Sequence, residues 1–182
     1  RLVGSEMCIR DSNYMLFQTN NAESMRIDSI GAVTKPLQPA FLATRQDQIA
    51  NIAPDTTTTI VFDTEIFDQG SDYNTSTGKF VAPVTGKYQL NFKGYLQQVP
   101  SDPEYIYFQL VTSNRNYIHI FDPRGFDTTV QYHHAEHSML VDMDANDEAY
   151  ITFYQRLGSQ TTDLANGTSS NPNNNFSGYL VA

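Results

Sequence analysis

Residues 77–93 read TGKFVAPVTGKYQLNFK, and this run decides the fold class. A short apolar strand ends at Pro83, and Thr85-Gly86 turns the chain. Beyond the turn Tyr88, Leu90 and Phe92 alternate with Lys87, Gln89, Asn91 and Lys93. A period of two sends the first set to one face and the second to the other. The strand therefore has one buried face and one wet face.

Outward from this run the signal stays β. Strands are expected over residues 40–43, 58–62, 77–83, 104–112, 116–121, 129–141, 148–157 and 175–182, with a polar loop over residues 46–57. The segments are rich in Val, Ile, Thr, Tyr and Phe, which suit a pleated, half-buried surface. Turn residues separate them: Pro100 to Pro103, Ser113-Asn114, Asp122-Pro123-Arg124-Gly125, Asn146-Asp147 and Asn166-Gly167. Eight or more short strands at this spacing, with no helical period, indicate an all-β sandwich or jelly roll.

Bulk properties bound the rest. The 182 residues suit one domain with a core plus a short extension. A net charge of −9 argues against a nucleic-acid partner. No apolar run approaches the roughly 18 residues a membrane helix needs, so no membrane insertion is expected. Cys8 is the sole cysteine, so no internal disulfide can form. Disulfide-free domains suit a reducing compartment, which tilts the source towards bacterial or viral. Residues 4–12, GSEMCIRDS, resemble a translated sequencing adapter, and residues 1–12 are set aside as non-native. The chain lacks a starting Met and is expected to be a fragment. Residues 13–38 are polar, with one short strand and turn over residues 24–31, and read as a stalk end and linker. Pro36 and Pro39 mark a boundary, and residues 39–182 form the head.

Three segments are apolar on both faces: residues 104–111, residues 149–154, and Phe176 with Tyr179 to Val181. A sandwich alone buries only one face of each strand. If these strands share a sheet, its outer face would be covered by another subunit. Tyr105, Tyr107, Tyr150, Tyr154 and Tyr179 are the candidate interface residues, since tyrosine offers area with a polar tip. Closed symmetry then builds a compact oligomer from one repeated patch.

The order of blocks resembles the C1q globular-domain family, and with it the tumour-necrosis-factor-like jelly rolls. Pro39-Ala40-Phe41 matches its opening strand and Ile60-Val61-Phe62-Asp63 its next block. Tyr73 and residues 77–88 match its most diagnostic run, and Phe176-Ser177-Gly178-Tyr179-Leu180 its closing strand. The resemblance spans about residues 39–182. It departs at residues 142–147, where Asn146-Asp147 stands in place of a Gly-Asp turn; Asn-Asp also turns a chain well. What the resemblance implies is a ten-stranded antiparallel jelly-roll sandwich, a homotrimer, and ligand binding without catalysis. A second resemblance lies in residues 23–31, ESMRIDSIG, which look like a strand-turn unit from the stalks of phage tail fibres.

Other constellations have plain readings. His133-His134-Ala135-Glu136-His137 fits H-x-x-E-H, a zinc-peptidase pattern that requires a helix. Its flanks are strand-like, and on a strand His133 and His137 lie about 13 Å apart, too far to chelate one ion. These histidines are read as solvated strand residues, and no metal site is assigned. Residues 142–147 begin like a calcium loop. The sixth position is Asp147 rather than Gly and the twelfth is Phe153 rather than Glu, which excludes an EF-hand and leaves calcium only as a loop ligand. Asn74, Asn166 and Asn175 begin glycosylation sequons that an Asn- and Ser-rich chain produces by chance. No nucleophile elbow, phosphate loop or dinucleotide fingerprint occurs, and no catalytic residue is assigned.

For binding, the loops near residues 46–57, 113–116, 144–147 and 166–175 are expected at the end of the head remote from the stalk. Their polar side chains Asn114, Arg115, Asn116, Asp144, Asn146 and Asn173 suit sugar hydroxyls. The reading is a non-enzymatic trimeric head at the tip of a phage tail fibre, on the virion, meeting a cell-surface glycan or protein receptor. The alternatives are a secreted C1q-like recognition protein and a purely structural trimerisation cap.

Overall fold

The computed structural model describes residues 7–11 and 14–182; residues 1–6 and 12–13, and with them most of the segment set aside as non-native, lie outside the described residues. The chain divides into two compact units, Arg1–Gln38 and Pro39–Ala182.

The first unit is an antiparallel meander of β1 (Met7–Asp11), β2 (Tyr14–Thr19), β3 (Ala22–Ile27) and β4 (Val33–Thr34). Residues 14–19 thus form a strand where only a polar segment was expected. The cause is Asn20-Asn21. Both adopt positive φ (52° and 61°), the conformation of a two-residue hairpin turn, and they fold β3 back onto β2. At the next turn the Asp28 carboxylate accepts from Ile30 N and Ala32 N, both at 2.9 Å.

The second unit is the expected jelly-roll sandwich. One sheet contains β13 (Asn116–Phe121), β12 (Tyr105–Thr112) and β15 (Glu148–Arg156) in that order. Beyond β15 the lane is shared by β7 (Thr58–Ile60) and β10 (Lys79–Val81), and β9 (Tyr73–Asn74) forms the far edge. The other sheet runs from β14 (Val130–Met143) to β11 (Gly86–Val99). Next comes a lane shared by β17 (Asn175–Leu180) and β16 (Thr162–Leu164), then one shared by β5 (Ala40–Thr44) and β6 (Ile49–Ile52), and finally β8 (Thr64–Gln69). Each sheet thus has five lanes. Several lanes are interrupted, and the segments outnumber the ten lanes for that reason.

One expectation fails locally, and one strand appears where none was assigned. Residues 46–57 are not a plain loop, because Ile49–Ile52 pairs with β16. The acidic stretch Thr64–Gln69 is a full edge strand on β5. The alternation in β11 holds: Tyr88, Leu90, Phe92 and Leu96 are buried while Lys87 is exposed. The core is aromatic. Phe41 stacks on Phe80 at 4.7 Å and meets Phe176 edge-on at 5.0 Å. Phe92 and Phe108, from opposite sheets, approach to 4.6 Å. Such pairs add about 0.5–1.5 kcal/mol beyond area burial.

Candidate functional site

Three regions bear the residues expected to function. The first is the outer face of the β13-β12-β15 sheet. Ile106, Phe108, Leu110 and Ile151 point into the core, so their neighbours point out. Tyr107 stands opposite Tyr154 with ring centroids 5.2 Å apart, and Tyr105 stacks on Tyr107 at 6.2 Å. Tyr150 lies further along β15, opposite Val111, under the Lys79 ammonium, which also pairs with Glu148. Tyr154 donates its hydroxyl to Asp55, which also takes Arg156. Ile118 and Ile120 of β13 complete this face, opposite Gln109 and Tyr107, and are 52% and 56% exposed. Sequence reasoning passed over both, although residues 116–121 alternate apolar side chains on each face. Thr152 lies amid this face, yet it is buried with its hydroxyl unpartnered.

Tyr179 does not belong to this face. Its strand β17 lies in the other sheet, beside β11 and β5. The expectation that all three doubly apolar segments share one sheet is therefore corrected. β17 turns Phe176 and Gly178 inward and Asn175, Ser177 and Tyr179 outward, so only its inner face is apolar.

The second region is the end of the sandwich where the unit starts and finishes. Pro39 O accepts from Leu180 N, and Ala182 O accepts from Lys87 N. Asn114, Arg115, Asn116, Asp144 and Asn146 all lie here. The Arg115 guanidinium reaches Asp142 at 2.7 Å, and Asn114 donates to the Asp142 carbonyl at 3.0 Å. Asn146 takes a positive φ of 75° and donates its N–H to Ala82 O. A depression of about 350 Å³ opens between Thr85, Lys87, Asn114, Asp142, Asp144 and Ala182. Two of the three carboxylates in residues 142–147 are already engaged: Asp142 with Arg115, and Asp147 with Asp144 N. Among the described residues, no group of three or more His, Cys, Asp or Glu is gathered to hold a metal ion.

Asn173 is separate from these five. It lies in the 166–174 loop in the opposite half of the unit, near the Thr44 end of β5. That loop is fastened at both ends. Gly167 N donates to Arg45 O at 2.7 Å. Asn174 is fully buried; its side chain accepts from Tyr95 N and donates to Ala165 O, and its carbonyl accepts from Thr44 Oγ1. The expected single set of far-end loops is therefore wrong in the structure. The error has two origins. β9 folds back on β10 through the turn at Asn74–Gly78, and this extra reversal moves the 113–116 and 144–147 turns to the end where the unit starts. The 166–174 loop is no hairpin turn: it interrupts the lane of β16 and β17, which both run antiparallel to β11.

The third region is the histidine run, and its reading as solvated is also corrected. β14 alternates, so His133 and His137 point inward between the sheets while His134 stays outside, stacked on Tyr95 at 4.5 Å. Burial holds the His133 and His137 imidazoles below the ordinary histidine range, and nearby His119 pushes the same way. Glu136 faces out beside Lys93, 3.6 Å away, on the opposite side of the strand from both rings.

Known proteins place this arrangement. The globular domain of zebrafish complement 1qA superposes with a TM-score of 0.57 at 16% identity, covering 80% of this chain and 98% of that one. Murine APRIL gives 0.56 at 9% identity, covering 79% and 99%. The Eiger TNF of S. frugiperda gives 0.54 at 11%, covering 81% and 94%. At these identities the likeness is one of fold. A search of curated proteins finds no match. C1q domains are generally non-enzymatic binding modules, commonly trimeric and typically extracellular. No helix among the described residues is long and apolar enough to cross a membrane. The C1q domain model matches residues 40–181, through the same strands that build the sandwich, and the chain belongs to the C1q domain family.

Proposed function

We propose that this chain is a trimeric, non-enzymatic recognition head, carried at the tip of a phage tail fibre, that binds a cell-surface glycan. The observation that carries the assembly is the outer face on which half-buried Tyr105, Tyr107 and Tyr154 cluster with exposed Ile118 and Ile120. Aromatic and branched side chains clustered on one sheet face are the composition of a subunit contact rather than of a solvated surface. Sugar contact falls to the depression bounded by Lys87, Asn114, Asp142 and Asp144, which is concave, rimmed by amide and carboxylate side chains, and large enough for one or two sugar rings. Arg115, Asn116 and Asn146 border it, and Asn173 is not part of it. The tail-fibre setting rests on the resemblance of residues 23–31 to a stalk unit, in a segment that forms its own meander.

Sedimentation of the full chain tests the assembly, and glycan-array binding tests the recognition. A trimer that loses glycan binding when Asn114, Arg115 and Asp144 become alanine supports the whole reading. A trimer with no glycan ligand reduces the head to a cap that registers a stalk. A monomer removes the assembly and returns the tyrosine face to solvent.

A further inference from the structure

The two sheets meet along one open side between their edge strands, β13 and β14. This seam is built from imidazoles and aromatic rings. His119 of β13 faces His137 of β14 edge-on, with centroids 6.0 Å apart. His133 lies 4.4 Å from Phe121 and 5.7 Å from Phe126. The Nε2 atom of His137 is buried with no hydrogen-bond partner. A buried polar atom left unpaired is costly, and a buried imidazolium without a counter-charge is more so.

The groups that surround the seam supply no such charge. From β13 the inward side chains are Tyr117, His119 and Phe121, and from β14 they are His133, Ala135, His137 and Met139. From β12 come Ile106, Phe108 and Leu110, and from β11 Phe92, Gly94 and Leu96. Phe126 closes the end. The charges on these elements point elsewhere: Glu136 is outside with Lys93, Asp122 pairs with Arg124, and Asp127 beside Phe126 is exposed. No carboxylate from these elements is turned inward to meet a proton.

We propose that the β13–β14 seam is an acid-operated latch, in which protons taken up by His133 and His137 part the two edge strands and open that side of the sandwich. The sign follows from linkage. Burial lowers the affinity of His133 and His137 for protons in the closed state. The open state then binds more protons, so closure is fully favoured above the ordinary histidine value of 6.5 and weakens as pH falls below it. Nearby His119 opposes the charging of both rings.

Hydrogen exchange on the full chain at pH 7.5 and 5.0, corrected for intrinsic exchange rates, tests this. The expected result is a loss of protection in β13 and β14 at least tenfold greater than in β17, in the native chain and in His134→Gln alike. His137→Gln should remove most of that difference. NMR titration of the native chain gives a second readout in case the variant does not fold: the His137 ring should titrate below free imidazole. Uniform loss of protection across both sheets overturns the latch. So does a His137→Gln chain with an undiminished acid response, or a His137 ring titrating at or above free imidazole.

Discussion

The Thr162 hydroxyl donates to the side-chain carbonyl of Gln155 at 2.6 Å, and both residues are fully buried. The Gln155 amide in turn donates to Leu157 O and Gln160 O, so this pair holds the turn between β15 and β16. Thr162→Val keeps the shape and leaves the Gln155 oxygen unsatisfied. The expected cost is about 2 kcal/mol, or roughly 5 °C in Tm by calorimetry. An unchanged Tm would mean that the turn holds without the network.

Gly178 lets β17 lie close to the core. A Cβ there would fall 2.4 Å from Leu90 Cδ2 and 2.9 Å from Phe41 Cε1. Gly178→Ala should therefore destabilise the head by about 1–3 kcal/mol through overpacking. Urea unfolding measures this, with the midpoint falling and the slope unchanged.

Tyr107 lies at the centre of the exposed aromatic face, between Tyr105, Tyr154 and Ile120. Tyr107→Glu should leave the circular dichroism of the sandwich intact and shift the sedimenting species from trimer to monomer. Tyr179→Glu, on the other sheet, separates the two candidate faces. If it alone dissociates the assembly, the interface lies on the β11-β17-β5 side.

Asp55 accepts hydrogen bonds from Leu157 N, Tyr154 Oη and Arg156 Nη1. The bond from the Leu157 backbone, helped by Tyr154 and Arg156, lowers its carboxyl below the ordinary value of 3.8. A depressed carboxylate contributes stability above its unfolded value and loses it as pH falls through its folded one. Asp55→Asn should therefore lower Tm at pH 7 and flatten the loss of Tm between pH 5 and pH 2. Parallel curves for the two proteins would show that Asp55 is not a source of acid sensitivity.

How much of this was legible depended on where each strand sits. β11 is central to its sheet and alternates strictly, so its faces could be read directly. β12 and β15 announced their two apolar faces in the same way. The edges were harder. β8 carries Glu65, Asp68 and Gln69 because an edge strand can stay wet, and β9 has only two residues. Missing β9 cost more than two residues, since the overlooked reversal exchanged the end of the 113–116 and 144–147 turns. The 166–174 loop interrupts a single lane instead of joining two, so Asn173 stays in the opposite half from Asn114. The histidines failed for another reason: alternation separates His134 from His133 and His137, but only the facing strand, with His119, shows that the inward pair is half-buried. In the first unit Asn20-Asn21 carried a hairpin signal that was there to be read.

The 166–174 loop has a consequence of its own. Gly167 rivets one end to Arg45, and buried Asn174 rivets the other to Thr44, Tyr95 and Ala165. Residues 168–173 span the gap as an interchangeable cassette, closed by the bridge between Thr168 and Asn171. Their side chains could be rewritten wholesale, in a library or over generations, without disturbing the strands that carry them, provided Asn174 stays in place.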